Sequence, residues 1–236
     1  MELLGYTIGI DYPLMPMNGK MVINTLNPHS YCVAKRDESF KIALQSSDIL
    51  LPDGVGIVLA AKILLGRKIH KIAGYDIFTY LMRYLNESNG TCFFLGASEQ
   101  TLERIKSRAL IEYPNVTIDS YSPPYKSNFS NKDSDFMCKK INTLQPEVLF
   151  VGMTAPKQEK WVRDHKEKLN AQVMCSIGAV FDFYAGNIKR APNWMIRYGL
   201  EWLHRSVMSP KRLGIRNLTS NPEFLLDVFK YKFSNK

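Results

Sequence analysis

The sequence predicts an α/β fold, a largely parallel sheet flanked by helices, followed by a basic helical appendage at the C-terminus. Three observations predict it. Short apolar runs such as Val148-Leu149-Phe150-Val151 alternate with longer segments of helical pattern, the order that βαβ units impose. Several of these runs end on small or polar residues, as strands do where their carboxyl ends border a ligand site. From Pro192 onward the alternation stops and helical patterns carrying Lys and Arg take over. The expected division is a body over residues 1–191 and an appendage over residues 192–236.

The bulk properties suit such a body. A chain of 236 residues with 45% hydrophobic and 22% charged side chains can bury a sizeable core. The start, Met1-Glu2-Leu3-Leu4-Gly5-Tyr6, has no basic stretch leading into a long apolar run, so no signal peptide is expected. No window approaches the ~18 apolar residues of a spanning helix. Cys32, Cys92, Cys138 and Cys175 are scattered without a CxxC pair, which reads as buried reduced thiols rather than a zinc site. The net charge of +9 is uneven: ten Lys or Arg against Glu201, Glu223 and Asp227 lie from Asn187 onward, leaving +2 for the rest. A near-neutral body with a basic tail points to an anionic partner or to a solvated basic face.

In chain order, Met21–Leu26 reads as a strand, with Asn27-Pro28 opening a helix from about His29 to Gln45. Asp48 to Pro52 is the next strand. Asp53-Gly54-Val55-Gly56 is a tight turn into an apolar helix that ends at Gly66. Gly74-Tyr75-Asp76 opens a helix to about Leu85. Thr91–Gly96 is a strand running into Ala97-Ser98, and Glu99–Tyr113 a helix stopped by Pro114. Val116–Tyr121 is a strand, the segment 122–134 a polar loop, and a helix follows to Leu144. Val148–Met153 is the most strand-like run; Pro156 is expected at the first position of a helix over Lys157–Leu169, before a strand at Val173–Ile177 and Gly178. Beyond Pro192, helices are expected over Asn193–Val207, Pro210–Asn217 and Pro222–Phe233. The last mixes Phe and Leu with Lys, which fits either a helix lying in a membrane interface or one packed on the body or on a second copy.

The strand ends gather the candidate chemistry: Thr25-Leu26-Asn27, Asp53-Gly54, Gly96, Gly152 to Pro156 and Gly178. A nucleotide or nucleotide-sugar pocket fits such an edge. The single Gly54-x-Gly56 lacks the rest of a dinucleotide fingerprint, and no Walker A, HExxH, EF-hand or G-x-S-x-G run is present. No metal is expected. Asp53 alone reads as a helix N-cap or as a carboxylate facing a ligand.

Five runs then occur in order: LPDGVG (51–56), APKQEKW (155–161), FDFYAG (181–186), KRAP (189–192) and GLEWLHR (199–205). Together they resemble the WecG/TagA/CpsF family of bacterial glycosyltransferases, over about Asn24 to Arg216. The resemblance implies a Rossmann-like body and a C-terminal appendage that docks at the inner face of the cell membrane. It implies inverting, metal-independent transfer of a sugar of N-acetylmannosamine, N-acetylmannosaminuronic acid or glucose type. The UDP-sugar is a substrate, so no cofactor is expected; the acceptor is a sugar carried on undecaprenyl diphosphate, in capsule, exopolysaccharide or teichoic acid synthesis. It assigns the catalytic base to Asp53, with Thr25 and Asn27 beside it. It places Gly54, Gly96, Gly152, Pro156, Gln158, Glu159, Gly178 and Asp182 around the substrates, and Arg205, Arg212 and Arg216 on the diphosphate. Ala73-Gly74-Tyr75-Asp76, Ala179, Gly152-Met153-Thr154 and His204 depart from the family's usual residues, which bears on donor and acceptor identity.

The chemistry fits these residues. The acceptor hydroxyl needs a base, which partial burial would strengthen in an Asp. Without a metal, Arg side chains and backbone N–H groups must stabilise the leaving diphosphate. A non-catalytic nucleotide-sugar or anionic-lipid binder is the alternative. Nucleic acid is not expected, because the tail's aromatics follow helix faces rather than forming stacking platforms. Monomer and oligomer are both compatible with the sequence.

Overall fold

The computed structural model describes residues 1–16, 19–208 and 214–234. A two-strand antiparallel hairpin, β1 (Glu2–Leu3) and β2 (Tyr6–Thr7), precedes a six-strand sheet. The sheet consists of β3 (Met21–Leu26), β4 (Ile49–Pro52), β5 (Thr91–Gly96), β6 (Thr117–Tyr121), β7 (Val148–Gly152) and β8 (Val173–Ser176). Its order is β4-β3-β8-β7-β5-β6, every pairing parallel. All carboxyl ends therefore lie on one edge. A parallel sheet must be covered on both faces, and here it is.

One face carries α4 (Gly74–Ser88), α5 (Glu99–Glu112) and the short α8 (Val180–Tyr184). Phe78, Leu81, Ile105, Phe181 and Tyr184 of these helices bury against Ile23, Phe94, Phe150 and Cys175. The other face carries α6 (Asn131–Leu144) and α7 (Lys157–His165). Met137, Ile141, Trp161 and Val162 meet Val22, Leu95, Leu149, Val151 and Met174 there. Successive strand residues alternate between the two clusters, as the pleat requires. The short helix α3 (Val55–Leu65) ends on Gly66 at φ 66°.

The expected long helix after β3 is two helices, α1 (Pro28–Ala34) and α2 (Glu38–Gln45). Asp37 breaks it: its carboxylate accepts from the Phe40 amide, so it caps α2 rather than continuing α1. The expected helix over 157–169 closes at His165 and tightens into a 3-10 turn at Lys166–Lys168. Pro156 occupies the N-cap of α7, not its first helical position.

The expected helix over 193–207 is also two, α9 (Asn193–Arg197) and α10 (Glu201–Met208), separated at Gly199, whose φ of 72° no helix accommodates. The last helix, α11 (Ile215–Ser234), runs through Pro222 instead of starting there. Phe224 and Val228 follow the proline and are buried among Tyr31, Cys32, Ile57 and Ala60 of α1 and α3. That burial offsets the hydrogen bond the proline cannot donate. Lys35 and Arg36 pair with Glu223, and Lys35 also with Asp227, along the same contact. Thus the inner face of α11 packs on the body, while Leu218, Leu226, Phe229 and Phe233 on the same helix stay exposed.

Candidate active site

The sheet edge formed by the strand ends collects most of the residues singled out from the sequence. Thr25 faces Leu51 in register, and Leu26 faces Pro52. The next residues, Asn27 and Asp53, therefore leave adjacent strands side by side. The Asp53 N–H donates to the Leu26 carbonyl at 2.8 Å, and the Ile72 N–H donates to Pro52 on the far side. Asp53 is partly buried. Gly54, with φ 95°, is the N-cap of α3, so Asp53 stands one residue before the cap. Asn27 does cap. Its Oδ1 accepts from the Ser30 amide at 2.9 Å and its own amide donates back to Ser30 Oγ. Its side-chain oxygen thus has a helix to hold at the very place where the resemblance puts it beside the base.

The glycines at the tips of β5 and β7 have packing reasons. Gly96 and Gly152 are register partners. A Cβ on Gly96, which sits at φ 121°, would stand 2.5 Å from the Gly152 carbonyl oxygen, and one on Gly152 would meet the Phe181 ring at 2.3 Å. Phe181, from the FDFYAG run, thereby locks α8 beneath the tips.

Gln158 and Glu159, in the first turn of α7, are both buried. Gln158 Oε1 accepts from the Met153 amide at 3.1 Å, and its Nε2 donates to Glu159 Oε1 at 2.8 Å. The carboxamide lies against Gly178, in the turn after β8 at φ 51°. Burial pushes the Glu159 carboxyl up to about 7, against the lowering effect of the Gln158 bond. Asp182, on α8, reaches the β5 tip through a polar cluster. Asn187 Nδ2 donates to Asp182 Oδ1 and to Thr101 Oγ1, and Ser98 Oγ, the N-cap of α5, lies 3.0 Å from Thr101 Oγ1. Asn187 and Thr101 escaped the sequence reading because neither lies in a recognisable run; only their convergence marks them.

The appendage is tied to the same edge. Arg190, from KRAP, stacks over Tyr75 at 4.2 Å and pairs with Asp76 at 3.5 Å and with Glu201 of α10 at 3.2 Å. Lys71 pairs with Glu201 at 3.6 Å. Two runs read separately, KRAP and GLEWLHR, are therefore one joint. Lys71 and Arg190 were not among the expected site residues, and a charge has no sequence signal for its partner. Arg205 lies on α10. Arg212 falls outside the described residues. Arg216 stands on the first turn of α11, and its charge, after burial, helps hold His29 down to about 4. His29 is in the first turn of α1, directly behind the β3 tip, so Arg216 is brought close to that tip. Among the described residues, no group of three or more His, Cys, Asp or Glu could hold a metal ion.

The arrangement provides a partly buried carboxylate, a buried amide pair, a polar cluster and a cationic appendage along one edge of a parallel sheet. Comparison with known proteins agrees with it. The chain matches the model of the glycosyl transferase WecG/TagA/CpsF family over residues 14–236. It is 34% identical over 215 residues, 91% of this chain and 81% of the relative, to a Bacillus subtilis N-acetylglucosaminyldiphosphoundecaprenol N-acetyl-beta-D-mannosaminyltransferase. A protein of the same name from Bacillus spizizenii is 31% identical over 98% of this chain and 87% of its own length. One from Staphylococcus aureus is 27% identical over 90% and 81%. The chain belongs to the WecG/TagA/CpsF family of glycosyl transferases.

Proposed function

We propose that this glycosyl transferase moves N-acetylmannosamine from a UDP donor to N-acetylglucosamine carried on undecaprenyl diphosphate, with inversion and without a metal. The acceptor hydroxyl oxygen bonds to the anomeric carbon as the bond from that carbon to UDP breaks. The electron pair leaves with UDP, and the hydroxyl proton passes to Asp53. Arginines of the appendage, Arg216 and with it Arg205 and Arg212, offset the charge that develops on the diphosphate. Thr25 and Asn27 border the base, while Gln158, Gly178 and Asp182 border the donor. The observation that carries this reading is the position of Asp53: a partly buried carboxylate-bearing residue at a strand tip, tied by its backbone N–H to the end of β3.

The chain works at the inner face of the membrane that holds the lipid-linked acceptor. Trp194, Tyr198 and Trp202 on α9 to α10 and Leu218, Leu226 and Phe233 on α11 are exposed. With the basic charge of the tail they suit an anionic lipid surface. Among the described residues no helix is long and apolar enough to cross a membrane.

The test uses the full chain, UDP-N-acetylmannosamine and a lipid-linked N-acetylglucosamine diphosphate analogue. UDP release with formation of a β-linked disaccharide lipid is expected. Binding of the UDP-sugar with no turnover, for this donor and for its uronic acid and glucose counterparts, would make the protein a non-catalytic binder.

A further inference from the structure

Three side-chain atoms buried behind the strand tips have no hydrogen-bond partner: Asn24 Oδ1, Ser176 Oγ and Glu159 Oε2. Their residues are 1%, 2% and 5% exposed, so water does not satisfy them from outside. Orphaned buried polar atoms are uncommon and call for a physical account. The register places them together. Ile23 faces Cys175 across β3 and β8, so Asn24 and Ser176 are neighbours, pointing to the face that α7 covers. Val162 of α7 packs with Val22 and Met174 on that face. One helical turn back towards the tips is Glu159, and two strand residues on are Asn24 and Ser176.

The donor directions along this cluster run one way. Asn24 Nδ2 donates to Ser47 Oγ, and Ser47 Oγ to the Ala43 carbonyl. Asn24 Oδ1 is therefore left as an acceptor awaiting a donor. On the other side, the Met153 N–H can only donate, which fixes Oε1 of Gln158 towards Met153 and Nε2 towards Glu159. Glu159 Oε1 must then accept. A neutral carboxyl accepts on one oxygen and offers an O–H on the other, and the other oxygen is the orphan.

We propose that Glu159 is a positioning residue rather than a substrate contact: a neutral carboxyl, its O–H offered to Asn24 Oδ1, that fixes the Gln158 carboxamide so that its remaining N–H meets an oxygen of the bound nucleoside diphosphate. The inference rests on the donor site proposed above and deepens it. The raised ionisation of Glu159 agrees with a neutral group. The two adjacent residues of the motif then divide the work, one facing the ligand and one holding its neighbour.

The test compares donor KM and kcat, with the acceptor saturating, for the full-length wild type, Glu159→Gln, Glu159→Leu, Gln158→Ala and the Gln158→Ala/Glu159→Leu double variant. Glutamine keeps an oxygen to accept from Gln158 and an N–H to offer Asn24, so Glu159→Gln is expected within about threefold of wild type in both constants. Leucine removes the acceptor; donor KM is expected to rise about tenfold or more with kcat less affected. The double variant should be no worse than Gln158→Ala. A Glu159→Leu protein with wild-type KM, or a double variant whose losses multiply, overturns the inference. Should Glu159→Leu fail to fold, Glu159→Gln decides alone, and a rise of its donor KM beyond tenfold overturns it. Wild-type turnover is measured first: its absence defeats the proposed transferase reaction, whereas turnover that is indifferent to Glu159 defeats only the positioning role.

Discussion

The Asp53 amide donates to the Leu26 carbonyl at 2.8 Å, so the candidate base is tied by its backbone to the end of the neighbouring strand, one residue before the N-cap of α3 at Gly54. Backbone tethering fixes where the side chain starts, independently of what the carboxylate meets. Replacing the side chain should thus spare the fold and remove the chemistry.

Asp53→Asn is expected to lower kcat by about 10²–10⁴-fold, the range general-base catalysis supplies, with UDP binding and melting temperature nearly unchanged. Steady-state kinetics beside calorimetric titration with UDP checks this. A variant retaining a tenth or more of wild-type kcat would move the base elsewhere.

Gly152→Ala places a methyl 2.3 Å from the Phe181 ring. Overpacking of this kind costs about 1–3 kcal/mol, so the urea midpoint should fall accordingly. Phe181→Leu in the Gly152→Ala background should recover part of the loss, since the smaller side chain vacates the space.

Phe224→Ala should cost about 3–5 kcal/mol, because the ring is 1% exposed and packs edge-on to Tyr31 at 5.2 Å. Limited proteolysis is expected to cut within α11 before the sheet, as the helix loses its main anchor on α1 and α3. Leu218→Ser, on the exposed side of the same helix, should leave stability within about 0.5 kcal/mol and weaken binding to anionic vesicles.

Glu159 gives stability a pH dependence whose sign is fixed. Its folded value of about 7 lies above the ordinary 4.5, so the native state holds a proton that the unfolded chain has released between those values. Stability from this group is lost as pH rises through that window. His29, held at about 4, opposes it: burying a neutral imidazole weakens the fold as pH falls from 6.5. The two slopes partly cancel in the wild type. The difference between Glu159→Gln and wild type isolates the carboxyl. The variant is expected to match the wild type near pH 5 and to exceed it at pH 8 by up to about 3 kcal/mol, as read from urea unfolding at both values.

The alternation of apolar runs and helical patterns was enough to set the parallel sheet, and the runs at the strand ends were enough to place Asp53, Gly96, Gly152 and Gly178 on one edge, while Gln158 entered through the family resemblance. Local signals carry that much because a buried parallel strand must be a continuous apolar run and a turn must contain residues that can make it. LPDG, PKQE and FDFYAG each announced themselves within a few residues. The breaks at Asp37 and Gly199 are also written locally, in a side chain that caps and a residue that takes a positive φ, against a helical pattern on either side.

What the sequence by itself determined was the fold class, the tip position of Asp53 and the membership of the family. The tertiary structure alone decided that Asn27 caps a helix, that Gly152 is small to admit Phe181, that Arg190 and Lys71 meet at Glu201, and that α11 continues through Pro222. It also set Asn24 and Ser176 side by side on the sheet face that α7 covers, each with a buried polar atom left without a partner. The reason is physical. Strand and helix periodicity are properties of neighbours along the chain, whereas ion pairs, ring contacts and the satisfaction of buried polar atoms depend on which elements become neighbours in space.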